Sequence, residues 1–387
     1  KKLQMVFCID VRSEVIRRHF ETVADSIETF GFAGFFGMPM EFVPLGESSG
    51  VNQCPVLLSP SFRVHEGLPG TPPGTVERVL ERRRESLWRR KIWKSFQGSA
   101  VSCFSYVESL GLAYLPKLCI DALRWPRAKS VEPLNGLSAT EHAHAGPDLC
   151  CAQSGGLSPQ RKIDLAEGML RNLGLTSGFA RIVIFCGHAA DVVNNPYKAG
   201  LDCGACGGHS GEPNARVAAA LLNDPEVRHG LSLRGIEIPG DTWFAAAVHL
   251  TTSDEIRFCD SHLCPASHAD DYLQVQQWAQ AAGRLTRMER SQRLGGHQED
   301  LVRRSRDWSE VRPEWGLAGN AAFIVARRER TQRLNLNGRA FLHSYRHELD
   351  PDCKVLELIM TAPMIVTNWI NMQYYASTVA HRAFGRV

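Results

Sequence analysis

Three short segments, far apart in the chain, together offer the side chains of a four-ligand metal site. They are residues 7–12 (FCIDVR), 186–188 (CGH) and 203–208 (CGACGG). Two thiolates, an imidazole and a carboxylate form a ligand set that suits zinc. The carboxylate can detach and open a position for catalysis, so these segments predict a zinc enzyme.

The elements around the first two segments explain how they could meet. An apolar run over residues 3–9 predicts a buried strand, and a helical pattern follows from near Ser13. Ser158-Pro159 predicts the start of a second helix and Gly174 its end, before an apolar strand over Ala180–Phe185 that leads to His188. Both segments thus follow predicted parallel strands, and open α/β sheets bind ligands at the carboxyl ends of such strands.

The first segment carries its polar residues at alternate positions. Residues two apart in a strand share a face, so Cys8, Asp10 and Arg12 are expected to converge on one point. An unpaired carboxylate at a buried strand end is costly, and either Arg12 or a metal ion would compensate it. The Cys203-x-x-Cys206 pair is less specific, because the same spacing occurs in redox pairs and in halves of structural zinc sites.

Cys-x-Asp-x-Arg after a strand, followed much later by a His and a Cys, is similar to the β-carbonic anhydrases. In those enzymes Cys, His and Cys bind zinc, and an Asp–Arg pair controls the fourth position. Longer motifs resemble the DabA family of inorganic-carbon accumulation subunits: residues 7–14, 193–196, 202–208, 214–216, 311–320 and 368–375. The resemblance implies an α/β protein with a β-carbonic-anhydrase-like core, in which a central, mainly parallel sheet is flanked by helices and carries insertions.

The resemblance also assigns roles to individual residues. It implies that Zn²⁺ is bound by Cys8, Asp10, His188 and Cys203, with Asp10 and Arg12 as the catalytic pair. Arg12 would draw the Asp10 carboxylate away from the metal ion and so open the site. Cys206 would then be a buried neighbour or a spare thiol.

The implied function is hydration of carbon dioxide to bicarbonate, coupled to a proton-conducting membrane subunit of the DabB type. The protein would act peripherally, on the cytoplasmic face of the cell membrane. A stand-alone zinc hydrolase and a non-catalytic scaffold stabilised by zinc are the alternatives that the same ligands allow. Residues 1–387 are interpreted as one elaborated zinc-binding catalytic domain, a segment of a longer protein, with an insertion at about 60–158.

Composition narrows the choice of partners. A net charge of +3 is too small to indicate nucleic-acid binding, and twelve cysteines without a signal peptide favour free thiols and metal ligands over disulfides. No apolar stretch reaches the roughly 18 residues typical of a membrane span, so the chain is expected to be soluble.

Other residues that could carry chemistry have simpler explanations. The basic helical pattern over 77–94 is interpreted as a surface helix whose Trp88 and Trp93 dock on the core, or else as a docking helix for acidic partners or anionic lipids. The segments 141–144 (EHAH) and 259–264 (CDSHLC) are two weaker metal-site candidates, and His249 is interpreted as a core histidine. Further predicted elements are helices over 213–222 and 271–293, strands over 242–250 and 321–326, and a helix over 355–375 interrupted at Pro363.

Overall fold

The protein is described by a computed structural model over residues 1–123, 134–149, 157–195, 198–314 and 316–385. Its strands are β1 (Leu3–Cys8), β2 (Ile27–Phe32), β3 (Met40–Val43), β4 (Val51–Gln53), β5 (Phe62–Gly67), β6 (Gly146–Asp148), β7 (Ile182–Ala189), β8 (Trp243–Leu250), β9 (Glu255–Cys259), β10 (Ala322–Ala326) and β11 (Ala340–Ser344). Its α-helices are α1 (Val11–Val23), α2 (Pro73–Gly98), α3 (Cys103–Leu110), α4 (Leu115–Ala122), α5 (Ala139–His144), α6 (Pro159–Leu173), α7 (Lys198–Leu201), α8 (Glu212–Asn223), α9 (Pro225–Leu233), α10 (Ala269–Leu294), α11 (Gln298–Arg306), α12 (Lys354–Thr361), α13 (Pro363–Val379) and α14 (His381–Phe384).

The main sheet has the strand order β2-β1-β7-β8-β9. The first four strands are parallel, and β9 is antiparallel to β8. This is a doubly wound order in which the connections change direction between β1 and β7, and ligands bind at such a switch point. The predicted α/β class with a mainly parallel sheet is confirmed, whereas the β-carbonic-anhydrase-like core stays a prediction.

Helices cover both faces of this sheet, as its continuous apolar strands require. Met5 and Phe7 of β1 pack in one core cluster with residues of α1 and α10. Val6, which points to the other face, packs in a second cluster with residues of α6 and α8. The sheet is therefore buried on both sides, and its strand ends offer the places where polar groups can gather.

The helix before β7 begins and ends where the sequence predicted. Ser158 is the N-cap of α6 and accepts a hydrogen bond from the backbone N–H of Arg161, while Pro159 occupies the first turn. Gly174 ends the helix in the left-handed conformation, with φ of 73°, which favours glycine. The helices predicted over 213–222 and 271–293 correspond to α8 and α10, and the strand predicted over 242–250 to β8.

Two smaller sheets accompany the main one. Strands in the order β4-β3-β5-β6 form the first, and all of them lie between β2 and β7 in the sequence. The parallel pair β10 and β11 forms the second and packs beside β2. The single-domain assignment and the insertion at about 60–158 stay predictions, and residues 124–133 and 150–156 lie outside the described part of the chain.

The basic helix α2 corrects one expectation, since its tryptophans do not dock on the core. Trp88 is 63% exposed and Trp93 is 48% exposed. The first turns of α2 do pack, through Val79, against a small cluster that includes Leu45 and Leu68. Farther along, Trp93 contacts the ring of Tyr106 in α3 at a centroid distance of 5.7 Å instead of reaching the core. Trp93 of α2 thus packs in a local aromatic cluster with α3 and not in the protein core.

The C-terminal helices α12 and α13 correct the expectation that no segment is long and apolar enough to span a membrane. Residues Lys354–Val379 are apolar enough, with a mean hydropathy of 1.3 over 18 residues, to cross a membrane by length and composition alone. Scattered Thr, Asn and Gln side chains hide this when only uninterrupted apolar runs are counted. The predicted break at Pro363 is confirmed, because α12 ends at Thr361 and α13 begins at Pro363. Only 11% of this 18-residue apolar stretch is buried within the protein.

Candidate metal site

Three of the predicted ligands converge at the carboxyl end of the main sheet. Cys8 is the last residue of β1, His188 lies next to last in β7, and Cys203 follows in the loop before α8. One ligand atom from each side chain lies within 4.8 Å of the other two, and all three residues are buried. This group can hold a metal ion.

The spacing and hydrogen bonding of these side chains fit zinc. The sulfur atoms of Cys8 and Cys203 are 3.9 Å apart. Two sulfurs bound tetrahedrally to one zinc ion at about 2.3 Å would be about 3.8 Å apart. Both ring nitrogens of His188 are buried without a hydrogen-bond partner, and an unpartnered buried nitrogen is costly unless it binds a ligand.

The raised pKa values of the two thiols also favour a metal site. The hydrogen bond with Cys203 and burial raise the pKa of Cys8 well above its usual value. A hydrogen bond with Cys206, burial and nearby negative groups likewise raise the pKa of Cys203. Two adjacent buried thiolates therefore need a cation, which a bound metal ion would supply.

The loop that carries Cys203 is shaped by glycines. The Cys203 carbonyl accepts hydrogen bonds from the backbone N–H groups of Cys206 and Gly208, which closes a tight turn. Gly207 and Gly208 have positive φ values of 70° and 79°. Cys206 is buried beside this turn but does not belong to the group of three converging ligands.

Gly34 shows how tightly the two thiols are enclosed, and the sequence analysis did not identify it. A Cβ atom at this position would lie 2.7 Å from the Cys203 sulfur and 2.9 Å from the Cys8 sulfur. Real side chains do not approach so closely, so only glycine fits here without displacing a sulfur. The Phe-Gly-rich stretch around residue 34 gave no signal of this role.

Asp10 lies beside the converging group, and Arg12 holds it there. Arg12 donates to Asp10 Oδ1 from Nε at 2.7 Å and to Oδ2 from Nη2 at 2.9 Å. Asp10 Oδ2 is also 3.7 Å from His188 Nε2. The carboxylate is thus engaged by the guanidinium at the edge of the candidate metal site.

The expected convergence of these residues along one strand face is wrong in its geometry. Strand β1 ends at Cys8, and Asp10 is the N-cap of α1, where Oδ1 accepts the backbone N–H of Arg12 at 2.9 Å. The helix start, rather than strand alternation, brings Asp10 and Arg12 together.

Burial alone would raise the pKa of Asp10. The charges of Arg12 and His188, together with the hydrogen bonds from Arg12, outweigh it and hold the pKa of that carboxyl well below its usual range. Asp10 is therefore ionised at neutral pH. Its negative charge can therefore either pair with Arg12 or bind a metal ion.

Arg12 has further partners that the sequence analysis did not single out. Its Nη1 donates to Glu314 Oε1 at 2.7 Å and to the Leu201 carbonyl at 2.6 Å. Glu314 Oε2 in turn accepts the Thr251 hydroxyl at 2.6 Å. Glu314 belongs to the 311–320 motif, so the sequence marked the segment without assigning this residue a role.

The weaker candidates do not form metal sites within the described residues. No second group of three potential ligands converges in residues 1–123, 134–149, 157–195, 198–314 and 316–385. His144 instead packs against His262, with ring centroids 4.5 Å apart and ring planes tilted by 58°. His249 is buried in β8, as predicted for a core histidine, and its Nε2 lies 3.2 Å from Asp254 Oδ1, but its Nδ1 is buried without a hydrogen-bond partner. Cys186 lies in the core of β7, outside the ligand group.

A buried Cys-His-Cys group at the switch point of a mainly parallel sheet defines a candidate metal-binding α/β protein. The chain belongs to the DabA family, because the family model described as "Probable inorganic carbon transporter subunit DabA" matches residues 1–386. No solved structure matches the chain significantly.

Relatives with the same name align with all or nearly all of the chain. Those from Roseiflexus castenholzii and Chloroflexus aurantiacus are 51% and 50% identical to it, over 100% of the chain and 47% of their own length. One from Acidithiobacillus ferrooxidans is 47% identical over 99% of the chain and 48% of its own length. The chain thus spans about half the length of the curated relatives that it matches.

Proposed function

We propose that this chain carries the zinc-dependent, carbon-dioxide-hydrating centre of an inorganic carbon transporter. Zn²⁺ would be held by Cys8, His188 and Cys203, with Asp10 as a fourth ligand that can leave. The observation that carries the proposal is the buried, unpartnered imidazole of His188 beside two thiols whose spacing fits zinc. The names of the relatives supply the transport context.

The burial of the ligands favours a very small substrate. Cys8, His188 and Cys203 are each no more than 3% exposed. A stand-alone zinc hydrolase would need a deep pocket that admits an organic substrate to these atoms. The cavity beside Arg12, Thr251 and Glu314 contains none of the three converging ligands in its lining. Carbon dioxide and water fit this setting better than a larger molecule does.

Bound zinc with one position free of protein ligands supplies Lewis acidity that makes water nucleophilic near neutral pH. The residues of this chain would then position the reactants. Asp10 Oδ2 accepts one hydrogen bond from Arg12 and faces His188 Nε2 at 3.7 Å, so it has remaining acceptor capacity toward the ligand group. In that position Asp10 can orient an incoming water, while the surrounding apolar side chains exclude others.

Arg12 would control whether the fourth coordination position of the zinc ion is free of protein ligands. The bidentate pair draws the Asp10 carboxylate away from the ligand group, which leaves three protein ligands. If Arg12 released Asp10, the carboxylate could close the site as the fourth ligand. A non-catalytic scaffold would be closed by four protein ligands in every state, so the engagement of Asp10 by Arg12 argues against this alternative.

Accumulation of bicarbonate requires a source of energy, because a catalyst alone speeds both directions of one equilibrium. We therefore infer a proton-conducting membrane partner of the DabB type, with this protein bound peripherally at the cytoplasmic face of the membrane. The fit of a β-carbonic-anhydrase-like core is supported by the ligand set and by its place at the sheet switch point. The word "subunit" in the names of the relatives supports a complex.

Helix α13 offers a surface that suits such a partner. Several of its exposed side chains are apolar and recur at helical spacing: Ile365, Trp369, Met372 and Val379 are 48–66% exposed. No Asp, Glu, Lys or Arg occurs over residues 358–380. Aromatic residues and Met are enriched in protein interfaces, where Lys and Glu are depleted. On the other face of α13, Ile370 packs against the cluster that contains Cys8 and Cys203.

Arg12→Ala in the full-length protein tests the gate. The variant is expected to keep its zinc, since Arg12 is not a ligand, but to leave Asp10 free to close the site. Carbon uptake by cells that depend on the transporter should fall by at least about tenfold, the scale of losing one essential positioning group. Zinc content measured on the same preparation is the control. An Arg12→Ala protein with normal uptake would leave the pair a structural role only.

The double variant Trp369→Ser, Met372→Ser tests the partner surface. Co-purification with the co-expressed membrane subunit should be lost while zinc content stays unchanged. Leu233→Ser is the matched control, because Leu233 is 77% exposed on α9. Unchanged co-purification in the double variant would rule out this surface. Robust hydration by the soluble protein alone, with uptake that survives collapse of the proton gradient, would contradict coupling itself.

A further inference from the structure

We propose that Glu314 is the second carboxylate of a two-position switch, and that it holds Arg12 whenever Asp10 leaves Arg12 for the metal ion. This inference rests on the proposed gate and extends it to a residue outside the ligand set. Glu314 would be a positioning residue, because it acts on the site through Arg12 rather than by contact with the ligands.

The contacts of Arg12 divide between two carboxylates on different edges of its guanidinium. Nε and Nη2 face Asp10, whereas Nη1 faces Glu314 at 2.7 Å. The side chains of Arg12, Asp10 and Glu314 are 9%, 7% and 4% exposed. Solvent therefore contributes little to neutralising any of the three charges, and their mutual pairing has to do so.

The charges explain why the second carboxylate matters. While Asp10 is on Arg12, two buried carboxylates share one guanidinium. When Asp10 moves to a metal ion, each carboxylate has a cation of its own. Without Glu314, the same movement would strand Arg12 as a buried cation with only the Leu201 carbonyl as an acceptor, which is strongly unfavourable. Glu314 thus lowers the cost of closing the site.

Glu314 is held in place from both sides. Its Oε2 accepts the hydroxyl of Thr251, and the backbone N–H of Thr251 bonds to the carbonyl of Ala189, the residue after His188. The carbonyl of the preceding Pro313 accepts a hydrogen bond from Arg290, which also pairs with the buried Asp254. Glu314 is therefore fixed relative to the end of β7, and Arg12 and Asp10 are the groups free to exchange partners.

The switch predicts opposite effects for two substitutions. Glu314→Gln removes the carboxylate charge that competes with Asp10 for Arg12 and that would pair with Arg12 after Asp10 left. Asp10 therefore stays on Arg12, and the fourth coordination position of the metal ion stays open. Arg12→Ala releases Asp10 to the metal and closes that position. An anion that binds directly to the metal should report the difference, because it competes with Asp10 for the same position.

The experiment uses the full-length protein with cobalt(II) in place of zinc and azide as the probe, followed by visible absorption. Glu314→Gln should lower the azide Kd roughly tenfold, and Arg12→Ala should raise it by a similar factor; tenfold corresponds to about 1.4 kcal/mol. Thr251→Val, which removes the hydrogen bond to Glu314 and a longer contact of the same hydroxyl with the Ala189 carbonyl at 3.5 Å, should lower the Kd by a smaller factor. Glu289→Gln is the matched control, since Glu289 lines the same cavity but pairs with Arg18 and not with Arg12.

The outcomes separate this inference from the proposed function. A raised Kd for Arg12→Ala with an unchanged or raised Kd for Glu314→Gln overturns the role of Glu314 and leaves the gate intact. An unchanged Kd in both variants overturns the gate itself. If Glu314→Gln does not fold, Thr251→Val decides, and an azide Kd equal to that of the parent protein then overturns the inference.

Discussion

Two regions of this protein carry two cysteines and a histidine, and only in one of them do the three side chains converge among the described residues. Cys8, His188 and Cys203 come from three distant segments and converge within 4.8 Å. Cys259, His262 and Cys264 lie within six residues of one another, yet they form no converging group in the described part of the chain. Closeness in sequence is therefore a poor guide to a metal site, and shared strand ends are a better one.

Local geometry explains the contrast. The first set sits where neighbouring parallel strands β1 and β7 end side by side, so distant residues meet by topology. In the second set the chain turns at Asp260, which has a left-handed φ of 51°, and the short turn that follows places the ring of His262 against that of His144 at a tilt of 58°. Asp260 is already neutralised by Arg216, through bonds of 2.9 Å and 2.6 Å. Asp260 is thus paired with an arginine as Asp10 is, and the difference between the two sets lies in where their Cys and His side chains are placed.

The largest expected effect is the loss of metal from one set and not from the other. Cys8→Ala and Cys203→Ala should each reduce bound zinc from about one ion per chain to nearly none, because each removes one of the three converging ligands and one of the two thiolates that balance the charge of the metal ion. Cys259→Ala and Cys264→Ala are the matched controls and should keep the metal. Cys206→Ala should also keep it, although Cys206 is buried beside Cys203. Metal analysis by mass spectrometry of the purified variants measures all five.

Loss of zinc from the Cys259→Ala protein, or its retention in both ligand variants, would break the comparison. The first result would mean that the second region binds the metal in solution. The second result would mean that the sulfur atoms do not bind zinc at all.

A smaller effect should follow from crowding the assembled set. Gly34→Ala would push a methyl group against both ligand sulfurs, which lie 2.7 Å and 2.9 Å from the new Cβ. Metal affinity should fall about 10- to 100-fold, as it does when groups supporting the ligands are altered. Gly168→Ala in α6 is the control, since nothing lies within 4 Å of its Cβ position. Competition with a chromophoric chelator gives both affinities, and equal affinities would show that the sulfurs can move aside.

The comparison also indicates what the sequence can predict. Hydrophobic runs and caps were sufficient for β1, α6 and β7, because each depends on local pattern: Ser158 and Gly174 bound α6 as expected. The meeting of Cys8 with His188 followed from the rule for parallel strands. The Asp10–Arg12 pair was identified from spacing, although a helix cap and not a strand face creates it.

The remaining features depend on tertiary contacts that local pattern does not encode. Glu314 contacts Arg12 across 302 residues of sequence, so no spacing rule relates them. Trp88 and Trp93 fit the apolar positions of a helix, but α2 extends beyond the core that would have covered them. The apolar surface of α13 was missed because polar residues interrupt its apolar run.

Zinc K-edge X-ray absorption of the full-length protein tests the central claim most directly. The account predicts two sulfur atoms at about 2.3 Å and two nitrogen or oxygen atoms at about 2.0–2.2 Å, for Cys8, Cys203, His188 and either Asp10 or water. The sulfur contribution should halve in any Cys8→Ala or Cys203→Ala protein that retains some zinc. A shell with four sulfurs, or with none, would contradict the assignment of this site.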